Sequence, residues 1–314
     1  MRIVMLEPLA VPVETLLKAA KPLTDAGHTF FPCTRKLTRE EAMAADADVL
    51  IIANSPLPGE VIRANRNLKM ISVGFVGVDH VDLTACAERR ILVCNARDYC
   101  TVTVAELTFA HILSLLRRLP HCDKATRVSG TKEGLVGFEL YEKTLGIVGT
   151  GAIGCRVAEV ARAFGCRVLG HARHENPRAL ACGVEYRSLD TLLEQSDIVC
   201  LHLPLTPETR GLIGEKELQR MKPSAILINM ARGAVVDNRA LAEALQNNRI
   251  AGAGLDVFDV EPPLPENDPL LTAPNTILTP HVGFATAESM DRRVEIVFRN
   301  ISAWLEGKPQ NRMS

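Results

Sequence analysis

The stretch TLGIVGTGAIG (144–154) constrains the fold of this chain more than any other. An apolar run precedes Gly149, Gly151 and Gly154, and the helical apolar spacing of IGCRVAEVARAF (153–164) follows. In such a strand–turn–helix unit the first glycine permits a tight turn, the second lets a pyrophosphate approach the backbone, and the third allows close packing of helix on strand. The helix N-terminus adds N–H groups and a positive dipole. The stretch therefore predicts a dinucleotide site.

Length and patterning predict two α/β domains. The chain of 314 residues is long for one hydrophobic core. The predicted strands are RIVMLE (2–7), HTFFPC (28–33), DVLIIA (48–53), KMISVGF (69–75), ILVCN (91–95), RVLGH (167–171), IVCLHLP (198–204), AILINM (225–230), AGAGLDVF (251–258) and TILT (276–279). Amphipathic helical segments separate them, and strands joined by helical crossovers form parallel sheets. We expect two doubly wound, Rossmann-like domains.

The last helical segment predicts that the first domain is discontinuous. ATAESMDRRVEIVFRNISAWLEG (285–307) has the pattern of one long helix ended by Gly307. Because this helix follows the second series of strands, we expect it to return to the first domain. The predicted domains are a substrate domain of residues 1–98 and 286–314, and an inserted dinucleotide-binding domain of residues 99–285.

Charge and cysteine usage exclude several classes of protein. Lys+Arg 36 against Asp+Glu 37 leave a net charge of -1, and no basic stripe indicates a nucleic-acid or anionic-membrane partner. No apolar run reaches the roughly 18 residues that a membrane span needs, and the N-terminus is patterned as a strand rather than a signal peptide. The nine cysteines form no C-x-x-C pair, so we expect free thiols, a cytoplasmic protein and no metal site.

Three polar residues directly follow predicted strands of the second series. Arg232 lies in NMARGAVVD, Glu261 in DVFDVEPP and His281 in TPHVGFAT. The carboxyl ends of parallel strands form the edge at which a dinucleotide binds. A histidine there can protonate a developing alkoxide, and a neighbouring carboxylate can orient the imidazole and raise its pKa. An arginine can bind a substrate carboxylate through two hydrogen bonds. The three together predict hydride transfer at a carbonyl.

Two further features remain open. The loop VGFVGVDHVD (73–82) is either a strand-to-helix turn with Asp79 or Asp82 near a helix cap, or a nest of backbone N–H groups for a small anion. His111 lies within the longest helical segment of the first two-thirds of the chain, TVTVAELTFAHILSLLRRL (101–119), and is interpreted as a packed or solvated histidine.

The motifs taken together resemble those of the D-isomer-specific 2-hydroxyacid dehydrogenases. The resemblance is carried by GTGAIG, CLHLPLTPETRGLI, INMARGAVVD, GLDVFDVEPP and TPHVGFAT, and extends to VGVDHVD and NISAWLEGKPQN. It implies an NAD(P)-dependent oxidoreductase that acts on the CH–OH group of a small D-2-hydroxyacid, as a glyoxylate or hydroxypyruvate type of reductase. It also implies an active site between the two domains and a homodimer, for which the helix at 101–119 is a candidate interface.

The resemblance also implies roles for individual residues. His281 would be the acid/base, Glu261 its partner, and Arg232 the group that binds the ketoacid. The loop amides of Val76 and Gly77 would hold the substrate carboxylate, so the expected substrate contacts are Val76, Gly77, Arg232 and His281. The expected cofactor contacts are Thr103, Gly149, Gly151, Ala152, Ile153, Gly154, Arg173, His202, Leu203, Pro204, Thr209, Met230, Ala231, Arg232, Asp256, His281 and Gly283.

One position departs from the pattern of NAD-binding proteins. An Asp or Glu about 20 residues after the glycines usually accepts hydrogen bonds from the adenosine ribose, but here the matching residue is Ala172. Arg173 follows it and is placed to attract a 2′-phosphate, with His174 and Arg178 nearby. We therefore predict that NADP(H) is preferred and that NAD(H) can also be used. The alternative is that Arg173 lies over the adenine or in solvent while NAD binds.

Two other functions are considered. A 3-phosphoglycerate dehydrogenase would need extra cations in the first domain, for which Arg63, Arg66 and Arg97 are candidates, although each is better interpreted as a solvated surface charge. A non-catalytic nucleotide sensor, similar to the transcriptional corepressors of this fold, belongs to a different class. The combination of arginine, glutamate and histidine at strand ends argues against it, because binding alone needs no proton donor.

Overall fold

The computed structural model describes residues 1–261 and 263–313. They divide into two compact units. Unit 1 consists of Met1–Cys100 together with the C-terminal segment that starts at Ala285, and unit 2 consists of Thr101–Phe284.

Unit 1 is built on a five-stranded parallel sheet. Its strands are β1 (Arg2–Met5), β2 (Thr29–Phe31), β3 (Val49–Ile52), β4 (Met70–Val73) and β5 (Leu92–Asn95). Their order is β2-β1-β3-β4-β5, and every pair of named strands is parallel. The strand order reverses beside β1, as it does in doubly wound sheets.

Helices cover both faces of this sheet. They are α1 (Val13–Asp25), α2 (Arg39–Met43), α3 (Gly59–Ala64), α4 (Leu83–Glu88) and α12 (Ala287–Leu305). Alternate strand residues point to opposite faces, so Leu50 belongs to one apolar cluster and Ile51 to the other. Val297 and Ile301 of α12 are buried in the second cluster. The last long helix is therefore part of the core of unit 1.

Unit 2 is built on a seven-stranded parallel sheet. Its strands are β6 (Thr144–Val148), β7 (Arg167–His171), β8 (Glu185–Tyr186), β9 (Ile198–Leu201), β10 (Ile226–Asn229), β11 (Gly252–Leu255) and β12 (Thr276–Leu278). Their order is β12-β11-β10-β9-β6-β7-β8. The order reverses at β6, and the glycine turn directly follows this strand. The two parallel sheets confirm the predicted α/β fold.

The helices of unit 2 include one that is shorter than its sequence pattern predicts. They are α5 (Thr101–Leu116), α6 (Leu119–Arg127), α7 (Ala152–Ala163), α8 (Pro177–Ala181), α9 (Leu189–Gln195), α10 (Glu215–Arg220) and α11 (Asn238–Gln246). The predicted helix 101–119 ends early, at Leu116, because Arg118 adopts a left-handed conformation with φ 52°. This residue starts α6 in a new direction.

The cysteines and helices of the chain bear on its chemistry and its environment. All nine cysteines are free thiols, and six of them are buried. Among the described residues, none of the helices combines the length and the apolar character that crossing a bilayer requires.

Candidate active site

The glycine turn between β6 and α7 has the geometry that close approach of a phosphate needs. Gly149 has φ 98°, and a Cβ there would lie 2.5 Å from the backbone oxygen of His202. A Cβ on Gly154 would collide with the backbone oxygen of Gly149. A Cβ on Gly151 would meet nothing within 4 Å. The first and third glycines are thus required by packing, whereas the second leaves the backbone open to a ligand.

The N-terminus of α7 fits the pyrophosphate of a dinucleotide. Gly151 is the N-cap, and no side chain makes a capping hydrogen bond there. The N–H groups of the first turn, which include those of Ala152 and Ile153, have no acceptor inside a helix. With the helix dipole they attract an anion. Of the expected cofactor contacts, Gly151, Ala152 and Ile153 therefore lie where their backbone can bind a pyrophosphate.

His281 and Glu261 are brought together on unit 2. His281 follows β12, and its Nδ1 lies 2.8 Å from Glu261 Oε2. The imidazole also packs edge-on against the ring of Phe284, with 5.9 Å between ring centroids. Because Nδ1 is hydrogen-bonded to the Glu261 carboxylate, Nε2 is the nitrogen that can exchange a proton with a substrate. This pair has the arrangement of an acid/base group and its orienting partner.

Arg232 lies at the carboxyl end of β10, and β11 separates this strand from β12. Asn229 holds the turn, since its Nδ2 donates to the Arg232 carbonyl at 3.0 Å and its Oδ1 accepts from the Ala231 N–H at 3.0 Å. A side chain on Gly233 would collide with the backbone of Phe258. This glycine therefore allows the turn that carries Arg232 to pack on the segment that leads to Glu261.

Asp256 is a buried carboxylate at the end of β11. Its Oδ1 accepts from the Thr279 hydroxyl at 2.6 Å and from the Val282 N–H at 2.9 Å, and its Oδ2 accepts from the Gly283 N–H at 2.7 Å. Burial raises the pKa of this carboxyl above its usual range, while the three donors act in the opposite direction. Asp256, an expected cofactor contact, thus holds the backbone that follows His281 and the Thr279 side chain that precedes it.

The loop at 73–82, in unit 1, has features of both interpretations that the sequence leaves open. Asp82 caps α4, because its Oδ1 accepts from the Ala85 N–H at 2.9 Å. In the described part of the chain, the N–H groups of Val76 and Gly77 donate no hydrogen bond. The Val76 carbonyl is fixed by Asn95 Nδ2 at 2.6 Å. The loop therefore has a helix cap at its end and two amides that are available to an anion.

Most other expected cofactor contacts lie near the carboxyl edge of the second sheet. His202, Leu203 and Pro204 follow β9. The Thr209 hydroxyl donates a hydrogen bond of 2.7 Å to the Pro204 carbonyl. Both ring nitrogens of His202 are buried without a hydrogen-bond partner among the described residues, and burial lowers its pKa to about 4. Its imidazole is therefore neutral at pH 7. The remaining members are Met230 and Ala231 after β10, Gly283 after β12, and Thr103 in the first turn of α5.

The residues around the predicted ribose end of the cofactor are only partly as expected. Ala172 and Arg173 follow β7, and the Arg173 side chain is exposed. Arg178 is engaged elsewhere, because its guanidinium pairs with Glu159 at 2.9 Å. Local hydrogen bonds lower the pKa of the Glu208 carboxyl, and the charge of Arg173 lowers it further by a smaller amount. Glu208 therefore lies near Arg173. The chain therefore supplies a carboxylate near Arg173 from a different loop.

Two residues that the sequence did not single out for the site are Thr279 and Asn229. Each is a polar residue at the end of an apolar strand. Thr279 donates a hydrogen bond to Asp256, and Asn229 donates one to the Arg232 carbonyl. Their position at a strand end could have indicated a role in the site, but only Arg232, Glu261 and His281 were identified from that position.

Comparison with known proteins agrees with this geometry. Residues 109–283 match the family model described as "D-isomer specific 2-hydroxyacid dehydrogenase, NAD binding domain". A glyoxylate reductase of Korarchaeum cryptofilum is 40% identical over 285 residues, which cover 88% of this chain and 85% of that protein. A D-3-phosphoglycerate dehydrogenase of Methanocaldococcus jannaschii is 39% identical over 87% of this chain, but the match covers 53% of that longer protein.

A solved structure is similar over the full length of this chain. The acyclic imino acid reductase Bsp5, in complex with NADPH and D-Arg, aligns with a TM-score of 0.90 at 28% identity, covering 100% of both chains.

Proposed function

We propose that this chain reduces glyoxylate or a 2-ketoacid of similar size, since it belongs to the D-isomer-specific 2-hydroxyacid dehydrogenase family of NAD(P)-dependent oxidoreductases that act on CH–OH groups. The observation that carries the proposal is the contact of 2.8 Å between His281 and Glu261, on the sheet edge where the glycine turn also lies. Unit 2 would bind the dinucleotide and unit 1 would contribute to substrate binding.

In the proposed reaction the chain's own groups handle the proton and the substrate charge. The bound nicotinamide would supply the hydride. His281 Nε2 would donate a proton to the carbonyl oxygen, and Glu261 would hold the ring and stabilise its protonated form. The Arg232 guanidinium would bind the substrate carboxylate and polarise the adjacent carbonyl. The amides of Val76 and Gly77 would give the carboxylate further donors.

A screen of 2-ketoacids tests the proposed substrate. Glyoxylate, hydroxypyruvate, pyruvate and 3-phosphohydroxypyruvate would each be offered with NADPH, and the loss of reduced nicotinamide absorbance would be followed. We expect the highest kcat/KM for glyoxylate or hydroxypyruvate. A preference for the phosphorylated ketoacid would favour a phosphoglycerate dehydrogenase, and no turnover with any ketoacid would favour a nucleotide sensor.

The phosphorylated substrate is the less favoured alternative in this chain. Of the three arginines considered for its phosphate, Arg63 pairs with Glu88 at 3.1 Å. Arg66 and Arg97 are exposed. Because Arg63 is engaged by Glu88, it is less available to a substrate phosphate, and the alternative loses one of its three candidate cations.

For the cofactor, we propose a preference for NADP(H) over NAD(H), with Arg173 binding the 2′-phosphate. The support is the apolar Ala172 at the usual acidic position and the exposed guanidinium next to it. The loop that carries Arg173 is tied to the glycine turn, because Tyr186 Oη lies 2.6 Å from Thr150 Oγ1 and accepts from the Asn176 N–H at 2.8 Å. The arginine would therefore be held at a fixed distance from the pyrophosphate.

Replacing Arg173 tests the cofactor preference. In Arg173→Ala we expect kcat/KM with NADPH to fall about tenfold or more while kcat/KM with NADH changes little, because one charge-assisted contact to the 2′-phosphate is lost. Arg178→Ala is the matched control, since Arg178 is paired with Glu159 and should leave the ratio unchanged. A wild-type preference for NADH that Arg173→Ala does not alter would contradict the proposal.

We also propose a homodimer in the cytoplasm. The segment after α6 exposes large apolar side chains, with Val136 85% and Phe138 65% exposed. Large exposed apolar patches mark association surfaces, so this segment would extend the interface expected for the helix at 101–119. The free thiols support a reducing compartment.

A further inference from the structure

We propose that His111 is a positioning residue for His281, acting through Thr279 and Asp256. This inference rests on the proposed function, because it takes His281 as the proton donor. His111 lies in the middle of α5 and is 2% exposed. Its partner is the hydroxyl of Thr279, the second residue before His281 in the chain.

The direction of each hydrogen bond follows from the donors available. His111 Nε2 lies 3.2 Å from Thr279 Oγ1, which in turn lies 2.6 Å from Asp256 Oδ1. An ionised carboxylate only accepts, so the single proton of the hydroxyl is donated to Asp256. The Thr279 oxygen must then accept from His111, which requires the neutral tautomer with its proton on Nε2. The chain of donation therefore runs from His111 to Thr279 to Asp256.

Two observations agree with this tautomer. His111 Nδ1 is buried and has no hydrogen-bond partner among the described residues, as an unprotonated nitrogen can tolerate better than an N–H donor can. Burial also lowers the pKa of His111 to about 4, so the imidazole is neutral at pH 7.

The imidazole is held in place by packing against the sheet. A Cβ on Gly254 of β11 would lie 2.9 Å from His111 Nδ1 and 2.9 Å from His111 Cβ. The strand backbone thus accommodates the ring only because this residue has no side chain. His111 is therefore a rigid donor, with its Nε2 directed at the loop after β12.

We call the hydrogen bonds from His111 through Thr279 to Asp256 the relay. It ends at the backbone that carries His281. Asp256 accepts the N–H groups of Val282 and Gly283, which follow His281 directly. His281 itself has φ 54°, a left-handed conformation that is unfavourable for a residue with a side chain. Such a conformation persists where the surroundings hold it. The relay supplies this restraint, and so it fixes the direction of the imidazole that transfers the proton.

Variants of Thr279 and His111 test the relay with matched controls. Thr279→Val removes the hydroxyl at nearly constant shape, and we expect kcat to fall about tenfold or more because the proton donor is misplaced. The Kd for NADPH should rise by a smaller factor than kcat falls, because the pyrophosphate contacts at the glycine turn are unaltered whereas Asp256 and Gly283 are expected cofactor contacts. Thr279→Ser keeps the hydroxyl and should restore most of kcat. His111→Leu should act like Thr279→Val, and His111→Gln should recover part of the loss through its amide donor.

The effects on kcat of substitutions at His111 and at Thr279 should also be coupled. If they act through one relay, the double variant His111→Leu/Thr279→Val should lose no more kcat than Thr279→Val alone. Multiplication of the two separate losses would overturn the proposal, as would a kcat that stays at the wild-type value in Thr279→Val. So would a failure of Thr279→Ser to restore kcat.

A second readout does not depend on the assigned reaction. Hydrogen–deuterium exchange of the Val282 and Gly283 amides would be measured in the NADPH-bound protein. We expect exchange to be about tenfold faster in Thr279→Val and in His111→Leu than in the wild type, and close to wild type in Thr279→Ser. Unchanged exchange would overturn the relay even if the enzyme is active. Faster exchange in a protein that reduces no 2-ketoacid would instead support the relay and reject the proposed function.

Discussion

His281→Ala is expected to lose turnover almost completely while it still binds NADPH. General acid–base catalysis contributes about 100- to 10,000-fold to a rate, and we expect kcat to fall within that range because the substitution removes the proposed proton donor and its pairing with Glu261. The glycine turn lies at the end of β6, away from this side chain in the sequence and in strand order. Steady-state kinetics with glyoxylate and fluorescence titration with NADPH would separate the two effects.

Two controls make this result specific. His121→Ala replaces an exposed histidine of α6 and should retain wild-type kcat. Glu261→Gln keeps a hydrogen-bond acceptor for His281 Nδ1 but removes the charge, so its kcat should lie between those of wild type and His281→Ala. Near-normal kcat in His281→Ala would exclude this histidine as the proton donor.

Arg232→Lys is expected to produce the second largest loss. The substitution keeps a positive charge but removes the planar fork that can bind a carboxylate through two parallel hydrogen bonds. We expect kcat/KM for glyoxylate to fall about 100-fold, with the rise in KM larger than the fall in kcat, because the contact is present in the ground state as well. The Kd of NADPH should be little affected.

Arg239→Lys provides the comparison, since Arg239 is an exposed arginine on α11 and should tolerate the change. If Arg232→Lys reduced the affinity for NADPH and left KM for the ketoacid unchanged, Arg232 would be a cofactor contact rather than a substrate contact.

The sequence was most informative where one residue type satisfies a backbone requirement. The different roles assigned to Gly149, Gly151 and Gly154 agree with what a Cβ would meet at each position. Strands were also predictable, because β3 and the first three residues of β10 are apolar, and both strands are buried throughout. The ordering of polar residues at strand ends placed His281 and Glu261 together, since parallel strands share one carboxyl edge.

The sequence was least informative where partners come from distant segments. His111 has the same helical spacing as its apolar neighbours, so periodicity places it in the core without indicating its bond to Thr279. The pairing of Arg178 with Glu159, and the proximity of Glu208 to Arg173, likewise depend on how helices and loops come together. The end of α5 at Leu116 comes three residues before the predicted end at 119, because the left-handed conformation of Arg118 has no strong local signature outside glycine.

The discontinuity of unit 1 has a consequence for how the chain folds on the ribosome. One face of the first sheet is covered by α12, whose buried residues include Val297 and Ile301. About 180 residues of unit 2 separate that helix from the N-terminal part of unit 1. At about 5–20 residues per second, the N-terminal part waits roughly 10 to 40 s with this apolar face covered only in part, by α1. The contiguous unit 2 is therefore free to fold first, although its synthesis starts second.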